Sequence, residues 1–182
     1  MSFSERIKLF MEKGRGILRL ISGLNFKILV VTPEKCTGCR ICEMACSLHK
    51  EGVCSPSRSR IHVVKWEREG IDVPMVCWHC EDAPCAKACP VKAIYRDEET
   101  KAVLIDEDLC IGCRECMAVC PFGGVVMSDE GKMVKCDLCG GDPFCAKLCP
   151  TEAIQYAKPS SYILAKKREI ALKVMETLRP TG

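Results

Sequence analysis

Four runs of cysteine decide what this chain of 182 residues can become. They are Cys36-x2-Cys39-x2-Cys42-x3-Cys46, Cys77-x2-Cys80-x4-Cys85-x3-Cys89-Pro90, Cys110-x2-Cys113-x2-Cys116-x3-Cys120-Pro121 and Cys136-x2-Cys139-x5-Cys145-x3-Cys149-Pro150. Of 17 cysteines, only Cys54 stands outside them. A spacing that recurs along a chain marks one structural unit used repeatedly. Cysteine at this density belongs to a scaffold that depends on it.

The spacing has a physical cause. Cysteines three residues apart let a tight loop wrap one corner of an iron–sulfur cubane, with backbone N–H groups free to face its sulfurs. The fourth cysteine is expected to open a helical turn leading away, where the following Pro tolerates its missing N–H. Such a turn aims its sulfur at a neighbouring cluster, so clusters come in pairs that exchange their fourth ligands. Eight cysteines then hold two [4Fe-4S] clusters, and sixteen hold four. A zinc ribbon also uses Cys-x2-Cys pairs, but it takes two pairs per metal and has no third cysteine followed by x3-Cys-Pro. A disulfide scaffold suits an exported chain. A radical-type site would carry a single three-cysteine motif on a larger barrel, and nothing here resembles that.

Composition and compartment agree with metal. The 48% hydrophobic content counts the cysteines, and aromatics are few, with 2 Trp, 3 Tyr and 5 Phe. Large apolar side chains are too scarce for packing alone to hold the chain, so bound metal is expected to share the task. The first 30 residues lack a signal peptide's uninterrupted apolar stretch, because Arg19 breaks the group Ile17, Leu18, Leu20 and Ile21. No run approaches the 18 apolar residues of a membrane span. A cytoplasmic location follows as the expectation, with export on a partner's signal the exception, and a reducing cytoplasm favours metal ligands over disulfides. The formal charge of +3 counts each cysteine as neutral. Four oxidised clusters, each about −2 with its thiolates, take the loaded chain to about −5. The basic pI therefore does not indicate nucleic acid, which needs a clustered basic face.

Between the runs lie short strand signals. Ile28–Thr32 precedes the first run, and Arg60–Trp66 and Val73–Val76 separate the first from the second. Lys92–Arg96 and Ala102–Asp106 flank the polar turn Asp97-Glu98-Glu99-Thr100, and Val125–Ser128 and Lys132–Lys135 repeat that pattern around Asp129-Glu130-Gly131. The fold class expected is α+β: two nested bacterial ferredoxin-like modules with short hairpins and one-turn helices, flanked by helical arms. In residue ranges this gives an N-terminal arm at 1–27, a four-cluster domain at 28–156 and a C-terminal helical arm at 157–182. Module 1 comprises 28–65 plus 132–156, and module 2 comprises 72–128. Ser4–Leu24 and Ser161–Leu178 have partly amphipathic helical patterns that suit packing on a partner or on the chain's own back.

No catalytic constellation appears. The histidines are His49, His62 and His79, and no serine or free cysteine lies in a nucleophile motif. His79, between Cys77 and Cys80, is either a donor to a cluster sulfur or a packed loop residue. Lys35, Lys87, Lys135 and Lys147 neighbour ligand cysteines and either offset cluster charge or point to solvent. Trp66 and Trp78 are expected to pack rather than relay electrons, and Cys54 to be a free thiol.

The four runs, with Cys77-Trp78-His79-Cys80-Glu81-Asp82-Ala83-Pro84-Cys85, Lys135-Cys136-Asp137-Leu138-Cys139 and Pro56-Ser57-Arg58-Ser59-Arg60-Ile61, resemble four-cluster ferredoxin-type subunits over roughly residues 28–156. Such subunits serve molybdenum and tungsten oxidoreductases, formate-linked hydrogenases and carbon monoxide dehydrogenases. The resemblance implies nested pairing, first run with fourth and second with third. Cys36, Cys39, Cys42 and Cys149 would hold one cluster, and Cys136, Cys139, Cys145 and Cys46 its neighbour. Cys77, Cys80, Cys85 and Cys120 would hold a third, and Cys110, Cys113, Cys116 and Cys89 a fourth. The chain's length is similar to that of compact subunits that accompany tungsten enzymes of the aldehyde oxidoreductase type, including tungsten-dependent benzoyl-CoA reductase. The implied role is a non-catalytic electron-transfer subunit. It would wire a large tungstopterin or molybdopterin subunit to an external ferredoxin or other carrier. The alternatives are a free-standing polyferredoxin carrier and a zinc-stabilised interaction module.

Overall fold

The computed structural model of the chain describes residues 26–159. The helical arms expected at Ser4–Leu24 and Ser161–Leu178 lie outside the described residues. Residues 27–157 form one compact unit. Its strands are β1 (Ile28–Val31), β2 (His62–Trp66), β3 (Ile71–Met75), β4 (Ile94–Arg96), β5 (Val103–Ile105), β6 (Val125–Met127), β7 (Met133–Lys135) and β8 (Ile154–Ala157). Its helices are α1 (Ile41–Glu51), α2 (Pro84–Ala88), α3 (Glu115–Ala118) and α4 (Phe144–Lys147). All the sheets have two strands, paired β1–β8, β2–β3, β4–β5 and β6–β7.

Three of these pairs are local antiparallel hairpins, as the alternating segments around polar turns predict. In the β4–β5 turn Asp97 accepts from the Thr100 backbone N–H at 2.7 Å and from its hydroxyl at 2.6 Å. A carboxylate that closes its own turn in this way fixes the hairpin register. The fourth pair, β1–β8, joins the two ends of the unit with Ile28 opposite Ala157. Strand β8 has no counterpart among the strand signals of the sequence.

The helices are where sequence and structure differ. α2, α3 and α4 are one-turn helices, but α1 runs for 11 residues. The fourth cysteine of a run also does not open a helical turn. Cys89 caps the end of α2, and Cys120 and Cys149 lie just beyond α3 and α4, so each closes a turn. The Pro that follows sits where no further helical N–H is required. α1 instead passes through Cys46 and Ser47 to Glu51, and a Pro at 47 would interrupt it. That is the physical reason the first run ends in Cys-Ser.

Two apolar cores result. One gathers Leu29, Cys42, Cys46, Leu138, Cys145 and Ile154, with Cys36, Cys136 and Cys149 packed against it. The other gathers Cys85, Ile94, Val103, Cys116, Val125 and Met133, with Cys89, Cys110 and Cys120 alongside. Thus cysteines of the first and fourth runs meet in one core, and those of the second and third in the other. The hairpin β6–β7 crosses the module boundary drawn between 128 and 132, and its Met133 lies in the second core.

Candidate iron–sulfur centres

Each Cys-x2-Cys loop makes the same local bend. The residue two after the first cysteine has a positive φ in every run: Gly38 (62°), His79 (46°), Gly112 (68°) and Leu138 (56°). Backbone that alternates between right- and left-handed conformations turns its N–H groups to one side and forms a nest for negative charge. The Cys136 thiol accepts the Leu138 N–H at 3.4 Å, and the N–H groups of Gly38 and His79 favour the thiolates of Cys36 and Cys77 against the cost of burial. At Gly112 the glycine is required twice over, since an added Cβ would lie 2.6 Å from the Gly131 carbonyl oxygen. His79 and Leu138 hold the bend at a strain cost of about 1–2 kcal/mol each.

The second and third runs converge on two cavities. One is lined by Cys77, Cys80, Cys85 and Cys120, together with Trp78 and Lys135. The other is lined by Cys89, Cys110, Cys113 and Cys116, with Ile94, Ile105 and Met133. Each thus takes three cysteines from one run and the last cysteine of the other. Gly124 N–H donates to Cys120 Sγ at 3.3 Å, and a Cβ at Gly124 would stand 3.0 Å from Cys77 Cα. The absent side chain lets two runs close on one cavity.

The first and fourth runs share the other core, where their thiols act on one another. Burial pushes the Cys36 thiol up, and the negative charge of Asp72, then of Cys39 and Cys149, adds to it. Cys42 is pushed up to about 12 by burial and then by Glu43, with Cys39 and Cys36 contributing. Cys145 reaches about 12 through burial, then Cys46, Cys139 and Cys42. Burial also raises Cys136, with Cys145 and Cys77 contributing. The thiol of Cys149 moves the other way. Burial opposes its charge, but N–H groups of Ile154, Thr151 and Ala153 and the Thr151 hydroxyl outweigh it.

Arginine and lysine side chains brace these loops, a role their sequence positions do not suggest. Arg96 on β4 donates to the carbonyls of Cys80 at 2.5 Å, Lys101 at 2.7 Å and Glu81 at 3.1 Å. Arg60 donates its backbone N–H to Cys46 Sγ at 3.4 Å, while its guanidinium reaches Asp137 and Glu51, both at 3.6 Å. Burial works against the Asp137 carboxylate, but the Lys50 hydrogen bond at 2.5 Å and the Cys139 N–H hold its pKa low. Buried Glu43, next to Cys42, accepts from Val63 N–H at 2.6 Å and ties α1 to β2.

The charged and aromatic residues beside the ligands separate clearly. Lys35 is exposed, and Lys87 and Lys147 form exposed ion pairs with Asp82 and Asp142. Lys135 alone of the four is buried, with its Nζ 3.9 Å from Cys85 Sγ. His79 accepts the Val103 N–H at Nδ1, 3.0 Å away, which puts the ring proton on Nε2. Burial, then the Lys135 charge, lower its pKa to about 4, so the ring is neutral near pH 7. Its Nε2 is buried without a protein partner. Trp78 and Trp66 are half exposed, Trp78 tilted against Phe122 with ring centroids 5.8 Å apart. Cys54 is exposed, as expected.

These residues fit an anionic cluster. No cysteine is disulfide-bonded, and four cysteines line each cavity. N–H donors face the sulfurs, and a buried ammonium enters one cavity. Among the described residues, no group of three or more His, Cys, Asp or Glu is arranged to hold a single metal ion. Nor is any helix among them long and apolar enough to cross a membrane.

Comparison with known proteins agrees. A 4Fe-4S dicluster domain matches residues 69–158, and a 4Fe-4S binding domain matches residues 33–48. The polyferredoxin-like subunit of an aliphatic sulfonate oxidoreductase from Pyrococcus furiosus is 46% identical over 123 residues, spanning 66% of this chain and 70% of the relative. One subunit of the anaerobic dimethyl sulfoxide reductase of Escherichia coli is 34% identical over 69% of this chain and 70% of its own length. The electron transport protein HydN of the same species is 36% identical, over 70% of this chain and 86% of its own. Among solved structures, the BamBC active-site complex of benzoyl coenzyme A reductase aligns over 85% of this chain and 92% of its own, at 24% identity and a TM-score of 0.44. With its repeated cysteine loops and these relatives, the chain belongs to the ferredoxin-type 4Fe-4S family that supplies electron-transfer subunits to oxidoreductases.

Proposed function

We propose that this chain is a non-catalytic electron-transfer subunit that carries four [4Fe-4S] clusters in a line. The ligand sets are Cys36, Cys39, Cys42 and Cys149; Cys46, Cys136, Cys139 and Cys145; Cys77, Cys80, Cys85 and Cys120; and Cys89, Cys110, Cys113 and Cys116. The observation that carries the reading is the pair of cavities lined by three cysteines of one run and one of another. Thiols that perturb one another across the sets support the order. Cys42 acts on Cys145, Cys77 on Cys136, and Cys85 on Cys116. Two nested modules then give a single file, with the second and third sets in the middle. When bound, the clusters supply one-electron chemistry at potentials set by sulfur hydrogen bonds, burial and nearby charge. The protein's part is to hold neighbours close, exclude water and place those charges.

The partner in this reading is a large catalytic subunit of the tungstopterin or molybdopterin type. An external ferredoxin or similar carrier serves the other end, in the cytoplasm. The names of the relatives support a place beside a catalytic oxidoreductase subunit. A free-standing polyferredoxin is the second reading. Native anaerobic purification and size exclusion separate the two. Co-elution with a larger subunit containing tungsten or molybdenum supports the subunit, and a monomer that retains all its iron contradicts it.

A further inference from the structure

Lys135 presents an electrostatic imbalance. The residue is only 4% exposed, and no carboxylate lies within ion-pair distance of it among the described residues. Its Nζ lies 3.9 Å from Cys85 Sγ, and the side chain lines the cavity that Cys85 shares with Cys77, Cys80 and Cys120. A buried charge with no counter-charge is costly, and native structures pair such groups. Its surroundings here are thiols, so the missing anion belongs inside the cavity. The backbone holds the side chain firmly. Lys135 ends β7, pairs with Val125 across the hairpin, and gives its carbonyl to the Arg60 guanidinium at 3.4 Å. Cys136, its neighbour in the chain, belongs to the adjacent ligand set.

We propose that the Lys135 ammonium sets the reduction potential of the cluster held by Cys77, Cys80, Cys85 and Cys120, keeping it above the value its sulfurs alone would give. The inference rests on the four-cluster reading above. One electron added at this site, from dithionite in a titration or from a neighbouring cluster, increases the negative charge beside a fixed positive one. Coulombic attraction therefore favours the reduced state, and weak screening in a buried site preserves the effect. No bond is made or broken. It is a positioning residue for charge, at the junction where the two cores meet.

The test is a potentiometric titration of anaerobically purified full-length protein, followed by EPR, for wild type, Lys135→Gln and Lys135→Arg. Iron and acid-labile sulfide are measured on each sample. The expected result is unchanged iron and sulfide, with one midpoint in Lys135→Gln lowered by at least a tenfold change in equilibrium, about 59 mV for one electron. Lys135→Arg, which keeps the charge, should move that midpoint less. Full iron content with every Lys135→Gln midpoint unchanged overturns the inference and leaves the four-cluster reading intact. Wild-type protein without a cluster on these four cysteines contradicts that reading itself, and the inference falls with it. If Lys135→Gln loses iron, wild-type protein labelled with 15N at the lysine ε position decides the matter. Hyperfine coupling to a lysine side-chain nitrogen at a reduced cluster supports the role, and its absence overturns it.

Discussion

The proposed crossed ligand sets make unusual pairs of single cysteines equivalent. Cys120 lies in the third run yet lines the cavity of Cys77, Cys80 and Cys85. Replacing Cys120 or Cys77 with Ser should therefore alter the same EPR signal, whereas Cys110→Ser should alter a different one. If each run held its own cluster, Cys120→Ser and Cys110→Ser would share a phenotype instead. The cysteines that line the two cavities were legible as a group because cluster geometry imposes its own spacing on the chain. The buried roles of Arg60, Arg96 and Lys135 were not. An arginine that clamps several loop carbonyls and an arginine in solvent look alike until the fold brings the loop to it. In sequence Lys135 is one of four lysines beside ligands, and only burial distinguishes it from the rest.

Among the elements, α1 departs from the repeat. Ser47 is fully buried, donates to the Met44 carbonyl at 3.2 Å and accepts the Ser55 N–H at 3.0 Å. Ser47→Pro, which copies the other three runs, should cost about 3 kcal/mol or more, since it removes an N–H inside a continuing helix. Pro150→Ser, beyond the end of α4, should change stability by less than about 1 kcal/mol. Anaerobic denaturant titration followed by circular dichroism compares them, and equal midpoints would contradict this view of α1. The local hairpins were readable because polar turns separate short apolar runs. Strand β8 was not, because its partner β1 lies at the other end of the unit and no nearby turn announces the pairing.

At the scale of the whole molecule, the described cores are assembled largely from cysteines and short aliphatics. Clusters should therefore be structural as well as functional, as in other small metal-held domains. Removing them with an oxidant and chelator should abolish most amide protection and much of the far-UV dichroism between residues 27 and 157. An unchanged spectrum would mean that apolar packing suffices. The α+β character and the cysteine-held core were legible from composition and spacing, since both follow from what a cubane needs. The convergence of distant runs on shared cavities was only implied by family resemblance, because long-range pairing leaves no mark on local sequence. The most direct test of four clusters on sixteen cysteines is iron and acid-labile sulfide per chain in anaerobically purified protein. About sixteen of each is the expected result. A value near twelve would contradict the fourth cluster, and zinc without sulfide would contradict the electron-transfer function altogether.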